Sequence, residues 1–236
     1  MPKTIADRIA ALDWPGIAAA LDARGSATTG PILTRQECAE LSALYEQDAP
    51  FRSRVVMARH GFGSGEYKYF AAPLPEMIGA FRQALYPPLA ETANRWQDQL
   101  GGKAYPAALD QYLKRCHAAG QKRSTPLLLK YENGDYNCLH QDLYGELAFP
   151  LQATILLSAP EQEFTGGEFL LTEQRPRMQS RGEVVALRQG EAVLFAVHQR
   201  PVQGKRGIYR VTMRHGVSRL KSGRRFSLGI IFHDSK

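Results

Sequence analysis

From Pro126 onward the chain breaks into short runs rich in β-branched and aromatic residues: PLLLKY, FPLQATILLS, GGEFLLT, GEVVAL, EAVLFAV, GIYRVTMRHGV and RRFSLGIIF. Glycine, proline and polar clusters separate these runs at close intervals. Many brief strands with frequent turns predict an antiparallel sandwich or barrel rather than a parallel α/β sheet.

The residues before Thr125 have a different period. Ile5, Ile9 and Leu12, then Ile17 and Leu21 beyond Pro15, recur at helical spacing. Thr34 is a natural N-cap for a helix through Tyr45, with Glu37 three residues on as its capping-box partner. A long apolar stripe from Pro75 to Leu100 (Ile78, Phe81, Leu85, Leu89, Ala93, Trp96) predicts a helix broken or kinked at Pro87-Pro88. Another helix is predicted from Pro106 to Ala119. The fold class is therefore α+β. Residues 1–125 form a mainly helical support, residues 126–236 a β core, and the two share one integrated domain.

At 236 residues the chain can bury one substantial core, and no apolar run approaches the roughly 18–20 residues of a membrane span. The start, MPKTIADRIAALDWPG, lacks the basic n-region and long apolar stretch of a signal peptide. Cys38, Cys116 and Cys138 are an odd number without a CxxC pair, which predicts reduced thiols and a cytoplasmic location. Charge is more informative. The formal net charge is +7, and no Asp or Glu occurs from Ala192 to His233. That stretch holds Arg200, Lys205, Arg206, Arg210, Arg214, Arg219, Lys221, Arg224 and Arg225. A second acid-free stretch, Ala49 to Gly65, carries Arg52, Arg54, Arg59 and His60. The bland reading is a solvated basic face; the functional one is nucleic acid, because phosphates reward such clustering.

The chemistry begins at His140-Gln141-Asp142. On a strand or its exit, residues i and i+2 project to one face, so an imidazole and a carboxylate can converge on one ion. HxD alone is weak. A second histidine would complete the facial triad of non-haem Fe(II) oxygenases, which leaves positions open for a co-substrate and O2. Of His198, His215 and His233, only His215 follows a strand-like run and is followed ten residues later by an arginine, Arg225. Adjacent antiparallel strands would bring that guanidinium beside the metal, where it can grip a carboxylate bidentately.

Taken jointly, His140, Asp142 and His215, with Arg225 at plus ten and Ser227 at plus twelve, resemble the 2-oxoglutarate-dependent dioxygenases. Arg225-Phe226-Ser227 looks like the RxS element that binds the distal carboxylate of 2-oxoglutarate. Thr165-Gly166-Gly167-Glu168-Phe169 resembles the GGEL-like strand of the prolyl-hydroxylase branch. Tyr131, nine residues before His140, matches a tyrosine that contacts 2-oxoglutarate in AlkB-type nucleic-acid demethylases. Across nearly its whole length the chain is similar to a bacterial family described as oxygenases of damaged DNA. The resemblance implies a double-stranded β-helix (jelly roll), with Fe(II) on the triad and 2-oxoglutarate and O2 as co-substrates. It implies oxidative demethylation of alkylated DNA, with release of succinate, CO2 and formaldehyde. The AlkB-type second arginine, six residues after the carboxylate-gripping one, is Ile231 here. That departure keeps open a prolyl-hydroxylase-like activity on a protein side chain. A metal-retaining jelly-roll sensor is a third class, disfavoured by the complete set of ligands.

The segment 51–70 is the candidate substrate loop. Arg52 and Arg59 there can hold phosphates, Tyr67 and Tyr69 can stack on bases, and Gly61, Gly63 and Gly65 permit a mobile lid. Its alternative is a glycine-rich connection packed on the sheet. Arg175 and Arg181, in EQRPRMQSR, line the same mouth or belong to a solvated loop. His60, His117 and His198 are read as structural or surface residues, and Cys138 as a buried thiol.

Overall fold

Five α-helices, two short 3-10 helices (Leu44–Glu46 and Met57–His60) and fourteen strands make up the computed structural model, which describes residues 3–236. The helices are α1 (Ile5–Ala10), α2 (Trp14–Arg24), α3 (Arg35–Ala43), α4 (Glu76–Leu100) and α5 (Leu109–Ala118). The first four strands lie before residue 125: β1 (Ser26–Pro31), β2 (Phe51–Val56), β3 (Gly63–Ser64) and β4 (Glu66–Phe70). The rest are β5 (Leu127–Glu132), β6 (Tyr136–His140), β7 (Leu151–Leu156), β8 (Phe164–Gly166), β9 (Phe169–Gln174), β10 (Arg181–Val185), β11 (Glu191–Ala196), β12 (Gln199–Gly204), β13 (Gly207–Val217) and β14 (Leu220–Ile230).

All the strands pair antiparallel, in two sheets. The major sheet runs β1-β11-β7-β14-β5-β4-β2, with β8 added along β14. The minor sheet runs β10-β9-β13-β6-β3, with β12 on β13. The two sheets face each other as a double-stranded β-helix, the fold that the family resemblance implies and a form of the sandwich read from the strand pattern. One apolar cluster fills the space between them, including Tyr131, Leu156, Phe169, Leu171, Phe195 and Val217. A second joins the other face of the major sheet (Leu128, Ile155, Leu194, Leu228) to the helices (Ile78, Phe81, Leu85, Leu89). Central strands β7 and β11 are buried at every position because helices cover one face and the minor sheet the other. The large apolar side chains among them, such as Leu151, Ile155, Val193, Leu194 and Phe195, contribute about 1.5–3 kcal/mol each on burial.

Thr34 caps α3 in a capping box with Glu37, and Arg8 clamps the same Glu37 with paired 2.7 Å hydrogen bonds from its two terminal nitrogens. Two features differ from the sequence reading. Helix α4 is not broken: Pro87 and Pro88 lie inside one continuous helix. Phe81, Leu85, Tyr86 and Leu89 are fully buried on its inner face, and this packing outweighs the lost backbone hydrogen bonds. The first half is also not helix alone, since β1, β2 and β4 join the major sheet. Segment 51–70 is accordingly no free loop. β2 and β4 pair with each other, β4 pairs with β5, and β3 pairs with β6. Among the described residues, no helix is long and apolar enough to cross a membrane.

Candidate active site

Strand register assembles the site. His215 of β13 stands directly opposite His140, the last residue of β6. A pairing irregularity between His215 and Val217 puts Val217 opposite Asn137. This bulge lets Asn137 and His140, three residues apart, both line one cavity. Asp142 follows β6 and is buried. His140, Asp142 and His215 each offer a ligand atom, all within 4.8 Å of one another. His140 Nε2 lies 3.5 Å from Asp142 Oδ1, and His215 Nε2 3.3 Å from Oδ2.

Neighbouring groups orient these three side chains. The Cys138 carbonyl lies 2.8 Å from His140 Nδ1, which assigns the proton to that nitrogen and turns Nε2 toward the cluster. The Tyr144 hydroxyl donates to Asp142 Oδ1 at 2.6 Å. Gln141, between the ligands, donates to the Met213 carbonyl at 2.8 Å and ties the HxD segment to β13. His215 is held by aromatic packing, stacked on Phe169 at 5.9 Å between centroids and lying 4.6 Å from the Phe195 ring. Burial works against charge on Asp142, but the hydrogen bonds of the two imidazoles outweigh it and hold its carboxyl well below the usual range. Burial also works against charge on His140, where Asp142 prevails and raises the pKa. His215 moves the other way, through burial and the neighbouring His140.

Arg225 reaches the same cavity from the opposite sheet. His215 and Arg225 are not on adjacent strands, as their spacing suggested: β13 belongs to the minor sheet and β14 to the major one. The ten-residue interval therefore crosses the sandwich through the Ser218-Arg219 turn. Arg225 is 1% exposed, donates from Nη1 to Ser227 Oγ at 3.1 Å, and leaves Nε without a partner. Among the described residues it forms no salt bridge. Tyr131 stands opposite it on β5, with the guanidinium 5.5 Å from the ring centroid. Burial pushes the Tyr131 phenol up to about 12. Gly167 explains the GGEF element: its φ is 63°, and a Cβ there would fall 2.4 Å from Leu220 and 3.1 Å from the Arg225 stem.

The cavity wall between these groups contains Gln152, Thr154, Leu127, Leu129 and Gly229. Gln152 is 3% exposed and its Oε1 has no partner. Sequence reasoning missed Gln152, Thr154, Asn137 and Tyr144; only the inward alternation along β7 hinted at the first two.

Of the proposed substrate residues, Tyr67 alone lines the cavity. Tyr69 packs edge-on between Tyr67 and Tyr144, and Arg52 lies 4.5 Å above the Tyr69 ring while donating to the Ser124 carbonyl. Arg59 is exposed. Arg175 and Arg181 lie outside the cavity lining and gather on Glu173, at 2.8 and 3.8 Å, beside buried Arg200. The buried acid explains why this basic cluster lies there. His117 bonds Asp234, His60 stacks on Phe62, and His233 is buried against Phe149. Cys138 is exposed rather than buried, because the bulge that lets Asn137 and His140 both line the cavity leaves Cys138 out of that lining.

Fold and site together define a class: a double-stranded β-helix presenting two histidines and one carboxylate to a divalent ion, the arrangement of non-haem Fe(II) oxygenases. The chain belongs to the family described as "Oxygenase, catalysing oxidative methylation of damaged DNA", whose sequence model matches residues 65–235. It is an oxygenase, and the cofactor set of its class is Fe(II), 2-oxoglutarate and O2. The residues present fit that set: a convergent N/O triad, and beside it a buried cation with an unfilled donor. The uncharacterised Mycobacterium tuberculosis protein Rv2227 (strain ATCC 25618 / H37Rv) is 53% identical over 167 residues, 70% of this chain and 72% of that one. A Burkholderia pseudomallei oxidoreductase of the 2OG-Fe(II) oxygenase family matches with TM-score 0.52 and 15% identity, over 94% of this chain and 92% of that one. A Trichoplax adhaerens prolyl hydroxylase, solved with a hypoxia inducible factor peptide fragment, matches with TM-score 0.54 and 14% identity, over 94% of this chain and 89% of that one. At these identities the likeness speaks for the fold.

Proposed function

We propose that the protein is an Fe(II)- and 2-oxoglutarate-dependent dioxygenase that demethylates alkylated bases in DNA. The observation that carries the chemistry is Arg225, a buried guanidinium in the same cavity as the triad that has no acidic salt-bridge partner among the described residues. An unpaired buried charge is costly, and a dicarboxylate co-substrate would satisfy it. In this reading His140, Asp142 and His215 hold the metal, and Arg225 and Ser227 hold the far carboxylate of 2-oxoglutarate beside Tyr131. The loaded centre supplies C–H oxidation: one oxygen atom of O2 enters succinate as CO2 leaves, and the other enters the substrate as a hydroxyl.

The chain's own residues orient and shield that chemistry. The Tyr144 hydroxyl and the Cys138 carbonyl fix the two ligands of the HxD segment, while Phe169 and Phe195 pack around His215. On an N-methylated base, the hydroxymethyl product loses formaldehyde as its C–N bond breaks and a proton returns to nitrogen. DNA is favoured over peptide by the family description and by the β12–β14 tract. Lys205, Arg206, Arg210, Arg214, Arg219, Lys221 and Arg224 are all exposed there, without a salt bridge among the described residues. A base inside a duplex would have to be extruded to reach the cavity.

The test is succinate and formaldehyde release across methylated DNA, methylated RNA and proline-containing peptides, with Arg225→Ala as control. Formaldehyde from methylated DNA, abolished by Asp142→Ala, is the expected outcome. Turnover of a peptide but of no nucleic acid would replace this reading with the hydroxylase one.

A further inference from the structure

At the cavity, and on the chain segments that flank it, lie exposed groups that the chemistry does not use. Phe62 is 47% exposed although its ring lines the catalytic cavity. Leu139 and Leu143, which bracket the ligands His140 and Asp142 in sequence, are 45% and 43% exposed. Tyr136, at the start of β6, is 36% exposed beneath the Arg219 guanidinium, 5.6 Å from its ring centroid. Phe62 thus leaves an aromatic face in water at the lining of the cavity that holds the triad, and Tyr136, Leu139 and Leu143 are exposed on the chain that flanks it.

Phe62 is held in place. Its N–H donates to the Met57 carbonyl at 3.2 Å, and its carbonyl accepts from Cys138 N–H at 2.9 Å. Gly63 follows with φ of 125°, and a Cβ there would fall 2.4 Å from the Tyr136 carbonyl oxygen. Only glycine lets this segment seat so closely on β6. The Phe62 ring stacks on His60 with centroids 5.3 Å apart and planes at 24°. The ring is therefore positioned before any ligand arrives, which lowers the entropic cost of stacking on it.

Charge selects the occupant. Arg219, Lys221 and Arg224 are exposed beyond Tyr136, Arg59 is exposed beside His60, and the tract from Ala192 to His233 contains no acid. A positioned aromatic ring next to unpaired cations suits a ligand with flat faces on a polyanionic backbone. In a duplex those faces are already stacked; in a single strand they are free. Resting on the proposed function above, we infer that this rim binds single-stranded nucleic acid. A base beside the reacting nucleotide stacks on Phe62, and the phosphates near Tyr136 lie against Arg219 and Lys221.

The test uses metal-free full-length protein, so that binding is read without turnover. Fluorescence anisotropy would compare a labelled unmodified DNA strand, the same sequence as duplex, its RNA counterpart and a proline-rich peptide. The single strands are expected to bind at least about tenfold more tightly than the duplex at equal salt. Phe62→Ala should weaken single-strand binding by about 5- to 150-fold, the range of one lost base stack. Duplex binding should barely change. Phe62→Trp should retain affinity and report contact by strand-dependent quenching beyond that of the wild type. Phe62 is exposed, so its variants keep the core, and matching melting temperatures would establish that.

Equal affinity for strand and duplex, an unchanged Phe62→Ala titration, or Phe62-dependent binding of the peptide alone would each overturn the rim assignment. The DNA and RNA arms decide the sugar. Phe62-dependent strand binding without demethylation would leave the rim standing and remove the proposed reaction. Demethylation that ignores Phe62 would do the reverse.

Discussion

Arg225 carries its charge into the interior with one serine hydroxyl as its side-chain acceptor, and His140 carries one against an aspartate. For Arg225, burial lowers the pKa, with Tyr131 and Glu168 opposing, yet a guanidinium stays protonated at any ordinary pH. A buried charge lacking an ionic partner costs the folded state, so Arg225→Met is expected to stabilise the ligand-free protein by about 1–3 kcal/mol. The same variant should raise KM for 2-oxoglutarate by about 10- to 150-fold, the loss of a charged hydrogen-bond pair worth roughly 1.5–3 kcal/mol. Calorimetric melting with and without 2-oxoglutarate separates the effects: only the wild type should gain stability from the ligand. A less stable apo variant would instead make Arg225 an internal strut. The raised pKa of His140 governs metal uptake. In the metal-free fold its protonated form is stabilising; that contribution is complete below its unfolded pKa and disappears as pH rises through the folded value. The proton competes with a metal for Nε2, so divalent-metal affinity should climb with pH up to the folded pKa and then level, with about one proton released per ion below it. Asp142, already ionised, and His215, already neutral, add none near neutrality. Titration calorimetry in buffers of different ionisation enthalpy measures that proton, and an affinity flat between about pH 6 and 8 would contradict the assignment.

Among the elements, the strands written as alternating or continuous apolar runs were legible: β5, β7, β9, β10, β11, β13 and β14 coincide with runs visible in the sequence. Those missed lack that signature for physical reasons. β12 (QRPVQG) has a proline and little apolar content, and β4 (EYKYF) carries Lys68, a charge that argues against a buried strand. In the fold, Lys68 is 7% exposed and donates to the Tyr45 and Gln47 carbonyls and to Asp48, so its amine is satisfied by a chain segment distant in sequence. Of the candidate triad, His140 and Asp142 were legible from their local spacing, whereas His215, far downstream, was singled out by its strand-like run and the arginine ten residues on. Gln152 and Tyr144 were not, because only the packing of strands turns an ordinary polar residue into a cavity wall. The arginines of EQRPRMQSR teach the same lesson through Glu173, an acid on an inward-facing position of β9. Burial works against its charge, but Arg175 and Arg200 outweigh this and lower its pKa. Arg200, 1% exposed on β12, also donates to the Asp22 and Ala23 carbonyls, so this pair links the minor sheet to the C-terminal end of α2. Glu173→Ala would leave Arg200 buried and unpaired, with an expected loss of about 3–5 kcal/mol in chemical denaturation. The double variant Glu173→Leu with Arg200→Met should recover much of that loss. Single-strand binding at a temperature where both variants are folded should match the wild type; a specific loss would return this cluster to the substrate surface.

Over the whole molecule, the net charge of +7 is unevenly placed, and β13 lays part of it out along one line. From the hairpin tip at Gly207 to His215 the strand advances eight residues, or about 26 Å at 3.3 Å per residue. Lys205 and Arg206 are exposed at that tip, Arg210 and Arg214 along the strand, and Arg219 and Lys221 beyond its end, Arg219 over the Tyr136 ring. At the 3.4 Å rise of a fully stacked strand such a span would match about seven to eight phosphates, an upper limit that falls as a single strand extends. The tip and the rim should therefore answer to strands of different length. Each phosphate neutralised contributes about 0.7 to the salt dependence of single-strand binding. Replacing Lys205, Arg206 and Arg210 by Gln should lower the salt slope by about two for a strand of roughly twelve nucleotides and leave one of about four unchanged. Replacing Arg219 and Lys221 should lower it for both. Arg210 also donates to the Leu100 carbonyl at the end of α4, so a melting curve of the triple variant must accompany the titration. If the tip variant binds long and short strands with the wild-type slope, the tract is a solvated face, and recognition is confined to the rim.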